Sequence, residues 1–154
     1  MKSCFFIGHR NAPESIRGSL AEAVERHITE YDVKEFIVGQ YGAFDRMTQS
    51  TLSKAKEQHP DIRLLLLLPY HPAERMVEMP KSFDGAYYPR GMETVPKRYA
   101  IERANRATLK TVDYLICYDR RYVGSTRELV DIALRREREG LIHVENLATT
   151  ETRL

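Results

Sequence analysis

The sequence lacks the features typical of secreted, membrane-spanning or strongly charged proteins. It contains two cysteines and no tryptophan among 154 residues. Cys4 and Cys117 both fall in predicted buried strands, where we interpret them as reduced core residues of a cytoplasmic protein; a disulfide between them is the alternative. The longest uninterrupted apolar run, residues 64–68, is too short to span a bilayer. The start of the chain also lacks the length and cleavage-site pattern of a signal peptide.

The charges are balanced rather than biased to one sign. Lys and Arg total 24 against 22 for Asp and Glu, which gives a net charge of +2. This balance provides no strong attraction for nucleic acid or an anionic membrane, so we expect neither as the main partner. With 42% hydrophobic residues, the 154-residue chain suits a single domain over 1–154 with a real core.

Short apolar runs alternate with segments of helical periodicity along the chain. Strands are predicted at residues 3–7, 35–38, 62–68, 114–118 and 141–144. Helices are predicted from Pro13, from about 43 to before Pro60, from about 96 to 110, and from Ser125 or Thr126, either of which suits the N-cap. We expect the tail from Ala148 to be frayed.

This order predicts an α/β fold with a doubly wound parallel sheet of about five strands, arranged 3-2-1-4-5. The third strand has no polar alternation, which is typical of a strand covered on both faces. Strands one and four would then be neighbours at the switch point, where ligands enter such folds.

Residues 69–96 form a long, irregular insertion between the third strand and the next helix. Five of the seven prolines of the chain lie here, and a short helix over residues 72–79 is predicted within it. A connection of this length in a small domain is typical of a lid or a binding loop.

Residues with chemical character follow the first two predicted strands. Gly8, His9 and Arg10 follow strand one, where Arg10 can bind a phosphate or, alternatively, pair with a helix carboxylate at the surface. We expect His9 to position or stack rather than act as a base. The residues expected to meet a base or sugar after strand two are Gly39, Tyr41, Gly42 and Asp45. Asp45 can bind a ribose hydroxyl or only complement a helix dipole.

The fourth strand leads into a turn of glycine and hydroxyl residues. Tyr118 and Asp119 end this strand and could line the same cleft, and Gly124, Ser125 and Thr126 precede the next helix. Such a turn offers free N–H groups to an anion, although an ordinary capped turn is the alternative. No His, Cys, Asp or Glu cluster has metal-ligand spacing, so neither a metal nor a cofactor is predicted.

Standard nucleotide and hydrolase motifs are missing. The turn after strand one has no G-x-G-x-x-G and strand two ends without an acidic residue, which counts against NAD and FAD. The sequence also has no P-loop motif and no G-x-S-x-G elbow, which excludes a P-loop NTPase and disfavours a Ser-His-Asp hydrolase.

The distinctive segments together resemble the YpsA-like branch of the SLOG superfamily. They are F-F-I-G-H-R at 5–10, G-x-Y-G-A-F-D at 39–45, Asn105 eight residues ahead of Asp113, and the strand leading to Gly124. This Rossmann-like group includes LOG-type proteins and the DNA-processing protein DprA. The resemblance extends from residue 3 to about 145. It implies a Rossmann-like fold with a pocket for a nucleotide or a nucleotide-derived ligand, and Asn105 among the ligand-binding residues.

The resemblance implies two main functions. The first is binding or sensing of a nucleotide-like molecule. The second is the activity of LOG proteins, which are phosphoribohydrolases that cleave the N-glycosidic bond of nucleoside monophosphates. Their motif is P-G-G-x-G-T-x-x-E, used with an upstream arginine. Residues 124–128 resemble the second half of that motif, and residues 121–123 replace its proline and paired glycines.

In the hydrolase, Glu128 would assist water attack or departure of the leaving group, and Arg106 would orient the phosphate. A homodimer is implied by the likeness to LOG proteins. A DprA-like role on single-stranded DNA is a third option, which the small net charge disfavours.

Overall fold

Strands and helices alternate along the chain. The computed structural model describes residues 1–120 and 123–151, with side chains in the second range to residue 149. The strands are β1 (Ser3–Gly8), β2 (Glu35–Val38), β3 (Arg63–Leu67), β4 (Gly85–Tyr87), β5 (Tyr114–Tyr118) and β6 (His143–Asn146). The helices are α1 (Arg17–Thr29), α2 (Ala43–Gln58), α3 (Ala100–Leu109), α4 (Ser125–Arg138) and α5 (Leu147–Glu151).

All six strands belong to one parallel sheet in the order β4-β3-β2-β1-β5-β6. The predicted α/β class is therefore confirmed. The five expected strands have the predicted arrangement, and β4, which was not predicted, extends the sheet beyond β3. The chain adds β2, β3 and β4 on one side of β1, then β5 and β6 on the other, so the switch point lies between β1 and β5.

Alternate strand residues face two separate hydrophobic layers. Phe6, Phe36 and Leu64 pack on the side covered by α1, α2 and α5. Phe5 and Leu115 pack on the opposite side, beneath α3 and α4. Burial of both faces explains why the strands are continuously apolar rather than alternating.

Several predicted elements differ from the structure. The helix expected over residues 72–79 is absent, and an isolated turn at residues 72–74 is found in its place. The last strand begins two residues later than expected, at His143, and α5 occupies the place of the frayed tail. Residues 152–154 of that tail lie outside the described part of the chain.

Both cysteines are buried and free, as expected of core thiols. Burial holds the pKa of the Cys4 thiol well above its usual range, so it stays protonated in the core. No described helix combines the length and the apolar character that crossing a bilayer requires.

Candidate functional site

A cleft of about 580 Å³ opens at the carboxyl end of β1, beside the switch point. It lies where ligands enter open α/β sheets. Its walls come from the turn after β1, the start of α2, the segment leading into α3, and the first turn of α4. The lining side chains and glycines include Gly8, His9, Arg10, Gly39, Tyr41, Asp45, Arg98, Ile101, Glu102, Asn105, Ser125, Thr126 and Leu129.

Gly8 brings the end of β1 against helix α2. A Cβ atom at Gly8 would lie 2.3 Å from Cγ of Phe44, whose ring is buried, so any side chain at this position would require Phe44 to shift. The chain then turns through His9 to Arg10, whose carbonyl accepts a hydrogen bond from the N–H of Ala43 at 2.8 Å. The backbone of Arg10 is therefore fixed by the beginning of α2.

The guanidinium of Arg10 is exposed and lines the cleft. Within residues 1–120 and 123–149 it has no hydrogen-bond or ion-pair partner at its own side chain. The surface pairing considered as the alternative for Arg10 is therefore not formed with those residues. An unpaired guanidinium beside a cleft can bind an anion through charge-assisted hydrogen bonds.

Gly42 starts helix α2 in a conformation that disfavours other residues. Its φ is +107°, and a Cβ there would lie 2.7 Å from Cα of Arg10. In the loop before it, the side chain of Gln49 donates to the carbonyl of Gly39 at 2.8 Å. Glycine at position 42 therefore lets the β2–α2 loop pack against the β1 turn, and glycine at position 39 leaves room for the Asp45 carboxyl, whose Oδ2 lies 2.9 Å from where a Cβ would be.

Asp45 lies in the first turn of α2 and faces the cleft. Its Oδ2 atom accepts a hydrogen bond from the N–H of Tyr41 at 3.0 Å. Loss of contact with water raises the pKa of Asp45 to about 7, against the weaker opposing effects of this hydrogen bond and the nearby positive charges of Arg10 and Arg46. Near neutral pH the Asp45 carboxyl therefore exists in both protonation states.

Gly124 is the N-cap of α4, with φ of +114°. The prediction that Ser125 or Thr126 caps this helix was wrong, because both lie inside its first turn. The first N–H groups of a helix have no partner within it, and the helix dipole favours an anion there. Ser125 and Thr126 bring this end of α4 to the cleft that Arg10 also lines.

A polar cluster around the buried side chains of His9 and Asp119 lies beneath the start of α4. The Asp119 carboxylate accepts a hydrogen bond from Nη1 of Arg127 at 3.0 Å, and the side chain of Asn146 donates to the Asp119 carbonyl. Nε2 of His9 accepts the N–H of Arg120 at 3.0 Å. A ring nitrogen that accepts this bond carries no proton, so its 3.5 Å approach to Asp119 is a contact rather than a second hydrogen bond.

The structure brings nine of the predicted site residues to the cleft and leaves six outside its lining. The nine are Gly8, His9, Arg10, Gly39, Tyr41, Asp45, Asn105, Ser125 and Thr126. The six are Gly42, Arg106, Tyr118, Asp119, Gly124 and Glu128. Tyr118 and Asp119 are buried instead of lining the cleft, and both contact His9, which does line it. Residues 121 and 122, which replace part of the LOG motif, lie outside the described chain.

Neither residue expected to carry out hydrolysis lines the cleft. Arg106 forms an ion pair with Glu102, and Glu128 is exposed. The LOG motif places two residues between its threonine and glutamate, whereas only Arg127 separates Thr126 from Glu128. The position that corresponds to the glutamate is Leu129, a buried residue in the cleft wall.

Helix α3 and the turn before it supply a wall of the cleft, of which only Asn105 was predicted from the sequence. Arg98, Ile101 and Glu102 line this side of the cleft. The spacing of Arg98, Glu102 and Asn105 places them on one helical face, which is the signal that could have identified them. Among the described residues, no group of three or more potential metal ligands lies together.

A smaller groove of about 340 Å³ adjoins the cleft and shares Tyr41 and Pro69 with it. Its floor includes Tyr70, over whose ring the guanidinium of Arg75 lies, 3.9 Å from the centroid. Removal from water raises the pKa of the Tyr41 hydroxyl, and the nearby Tyr70 adds to this effect. Tyr41 thus stands as a partly buried, neutral ring between the two spaces.

Comparison with known proteins provides no family assignment. The chain matches no family model, and no curated protein is significantly similar to it. The likeness to SLOG proteins therefore stays a prediction based on the quoted motifs.

Proposed function

We propose that the protein binds a nucleotide or a nucleotide-derived small molecule in the cleft beside β1. The observation that carries the proposal is that Arg10 and the first turn of α4 line one cavity. These groups come from segments more than a hundred residues apart in the chain, and both favour a negative charge. A phosphate bound between them would meet a guanidinium and unpaired helix N–H groups at the same time.

The remaining wall suits the sugar and base. Tyr41 presents an aromatic ring, and the Asp45 carboxyl and Asn105 side chain provide polar groups able to meet hydroxyl or amine groups of a ligand. A volume of about 580 Å³ lies within the usual range for small-molecule sites. A nucleotide with its phosphate at α4 would extend across β1 towards α2.

Thermal unfolding in the presence of ligands tests the proposal. Nucleoside monophosphates and other nucleotides should raise the melting temperature, since a ligand at 100 times its Kd adds about 2.7 kcal/mol of stability. The Arg10→Gln variant should lose most of this effect. Arg103→Gln is the matched control, because Arg103 carries the same charge on an exposed position outside the cleft lining.

Two results would contradict the proposal. One is the absence of a shift with every nucleotide at millimolar concentration. The other is equal stabilisation of the wild type and Arg10→Gln, which would place the anion elsewhere.

We further propose that the protein acts in the cytoplasm and forms a homodimer. The free, buried state of both cysteines supports a reducing compartment. The likeness to LOG proteins supports the dimer, and sedimentation equilibrium would measure it directly.

A further inference from the structure

We infer that the groove beside Tyr41 is a stacking site for the base of the ligand, in which the guanidinium of Arg75 packs against the planar ring. This inference rests on the proposed nucleotide binding and assigns the part of the site that would recognise the base. It also gives the proline-rich insertion a role, since Tyr70 and Arg75 both belong to it. The ring expected there is a nucleobase, with the larger purines preferred over pyrimidines.

The groove is continuous with the cleft at one wall. Tyr41 and Pro69 line both spaces. The chain that leaves β3 contributes the buried residues Leu68 and Pro69 to the groove. A ligand bound in the cleft can therefore extend past the ring of Tyr41 into the groove.

The distance between the two ends of this combined site suits one nucleotide. The proposed phosphate position lies between the ends of β1 and β5, and the groove lies between the ends of β2 and β3. The two positions are therefore two strand spacings apart, or about 10 Å. An extended purine nucleotide covers such a distance from its phosphate to the far edge of its base.

The hydroxyl of Tyr41 lies near two guanidiniums. Removal from water raises the pKa of this hydroxyl, and the charges of Arg75 and Arg10 act in the opposite direction to a smaller extent. Arg10 is the group proposed to bind the phosphate, and Arg75 borders the groove. One neutral aromatic ring therefore separates the phosphate end of the site from the groove.

The side chain of Arg75 is arranged to stack rather than to form an ion pair. Its guanidinium lies over the ring of Tyr70, 3.9 Å from the centroid, and the residue is exposed. The adjacent carboxylate of Glu74 pairs with Lys97 instead, at 3.8 Å, and Arg75 has no ion pair with any residue that the structure describes. A planar guanidinium of this kind stacks on nucleobases as well as on aromatic side chains.

The stack is held in place before a ligand arrives. The hydroxyl of Tyr70 donates a hydrogen bond to the carbonyl of Lys97 at 3.3 Å, which ties the ring to the segment before α3. The N–H of Arg75 donates to the carbonyl of His71 at 3.2 Å. A preformed stacking surface costs less conformational entropy on binding than one that must be ordered by the ligand.

The remaining side chains of the groove favour a neutral ring over a second phosphate. Glu78 lines the groove and would repel another anion. The same carboxylate can accept hydrogen bonds from amino or ring N–H groups of a base, and the amide of Gln40 can both donate and accept them. A nucleobase is uncharged near neutral pH and has such groups along its edge.

Isothermal titration calorimetry with ribose 5-phosphate, UMP, CMP, AMP and GMP tests the inference. The wild type should bind the nucleotides more tightly than ribose 5-phosphate, and AMP and GMP most tightly, because a larger ring stacks over a larger area. Arg75→Ala should bind AMP and GMP roughly 5- to 150-fold more weakly, the range for loss of one stacking contact. Its affinity for ribose 5-phosphate, which has no base, should not change.

Two further variants separate stacking from charge. Arg90→Ala removes an exposed arginine of the same insertion that lines neither space, and it should bind every compound as the wild type does. Arg75→Lys keeps the positive charge without the planar group, so it should lose most of the affinity that Arg75→Ala loses.

Unchanged binding of AMP and GMP by Arg75→Ala would overturn the inference and leave the proposed binding function intact. Full affinity in Arg75→Lys would also overturn it, as would an equal loss of affinity for AMP and ribose 5-phosphate in Arg75→Ala, because either result would mean that Arg75 acts through its charge. Equal affinities of the wild type for AMP and ribose 5-phosphate would show that the base contributes nothing. Absence of binding by all five compounds would end both proposals together.

Discussion

At Gly8 the end of β1 packs directly against Phe44 of helix α2. We expect Gly8→Ala to lower the free energy of unfolding by about 1–3 kcal/mol, because the added methyl would overlap the buried ring of Phe44. Urea denaturation measures the change. Gly18→Ala is the matched control: Gly18 lies in α1, and a Cβ added there would have no neighbour within 4 Å. There, alanine should stabilise the helix by about 0.5–1 kcal/mol. Equal effects at both sites would contradict this account of Gly8.

At the scale of single residues, the sequence predicted which residues reach the cleft better than it predicted their backbone conformation or their protonation. Gly8, Gly39 and Asp45 reach the cleft as expected, because glycines and charged groups after buried strands must collect at the carboxyl edge of a parallel sheet. The capping of α4 was mispredicted, since nothing in the letters Gly-Ser-Thr reveals the φ of +114° that lets Gly124 be the N-cap. The state of Asp45 could not be predicted either, because its pKa depends on how far packing removes it from water.

Strand β4 is anchored by one side chain at its beginning. Oδ2 of Asp84 accepts the N–H of Leu64 at 2.8 Å and a hydrogen bond from the ammonium of Lys56. We expect Asp84→Ala to cost about 1–3 kcal/mol of stability, because it leaves the Leu64 N–H without its partner. Asp61→Ala, at an exposed turn before β3, is the control and should be nearly neutral. Chemical denaturation of both variants provides the comparison.

The same contact makes a prediction about pH. The hydrogen bonds from Lys56 and Leu64 lower the pKa of Asp84 below its usual value of 3.8. The stabilisation that they provide is therefore fully present above that value and is lost as pH falls through the lower folded pKa. The difference in stability between wild type and Asp84→Ala should shrink between about pH 5 and about pH 2. A difference that stays constant over this range would contradict the assignment.

At the scale of elements, length decided what could be predicted. Helix α2 and strand β5 were expected within a residue of their observed bounds, since each has a long periodic or continuous apolar pattern ended by clear signals. Strand β4 has three residues in a proline-rich segment, and the pattern of so short a strand is not distinguishable from a loop. It forms because β3 offers an open edge and Asp84 fixes the register, both of which are tertiary effects.

For the molecule as a whole, two groups give stability opposite dependences on pH. Burial lowers the pKa of His27, whose Nδ1 lies 2.7 Å from the Ala23 carbonyl, so protonation of the unfolded chain below about pH 6.5 favours unfolding. The pKa of Asp45 is raised from 3.8 to about 7, so its contribution to stability is present below pH 3.8 and is lost as pH rises to 7. Where the pH ranges of the two groups overlap, below about pH 6.5, their effects on stability therefore oppose each other.

Asp45→Asn should remove the loss of stability that Asp45 causes between pH 3.8 and about pH 7, and it should leave the effect of His27 unchanged. Denaturant unfolding from about pH 4 to about pH 9 should show the variant gaining on the wild type as pH rises towards 7. The greatest possible slope is about 1.4 kcal/mol per pH unit, since one proton is involved. Above about pH 8 the gap should be constant. A gap that does not change with pH would mean that Asp45 ionises as readily in the folded protein as in the unfolded chain.

The architecture of the whole molecule was the most predictable feature. Five strands, their order and the switch point follow from the alternation of short apolar runs with segments of helical periodicity, and from the rule that parallel strands need a crossover connection, usually a helix. The wall contributed by α3 was not predicted beyond Asn105, because Arg98 and Glu102 follow the proline-rich insertion and have no motif of their own. Their position depends on how that insertion returns the chain to the sheet.

Phe44 and Asp45 are neighbours on α2, one pressed against Gly8 in the interior and the other open to the cleft. A change in the volume of the side chain at position 44 would shift the start of the helix and alter how deeply the adjoining carboxyl is shielded from solvent. Substitutions at position 44 therefore offer a way to change the pKa of the Asp45 carboxyl without altering any group that would meet a ligand. Directed evolution should recover hydrophobic substitutions at position 44 that act in this way.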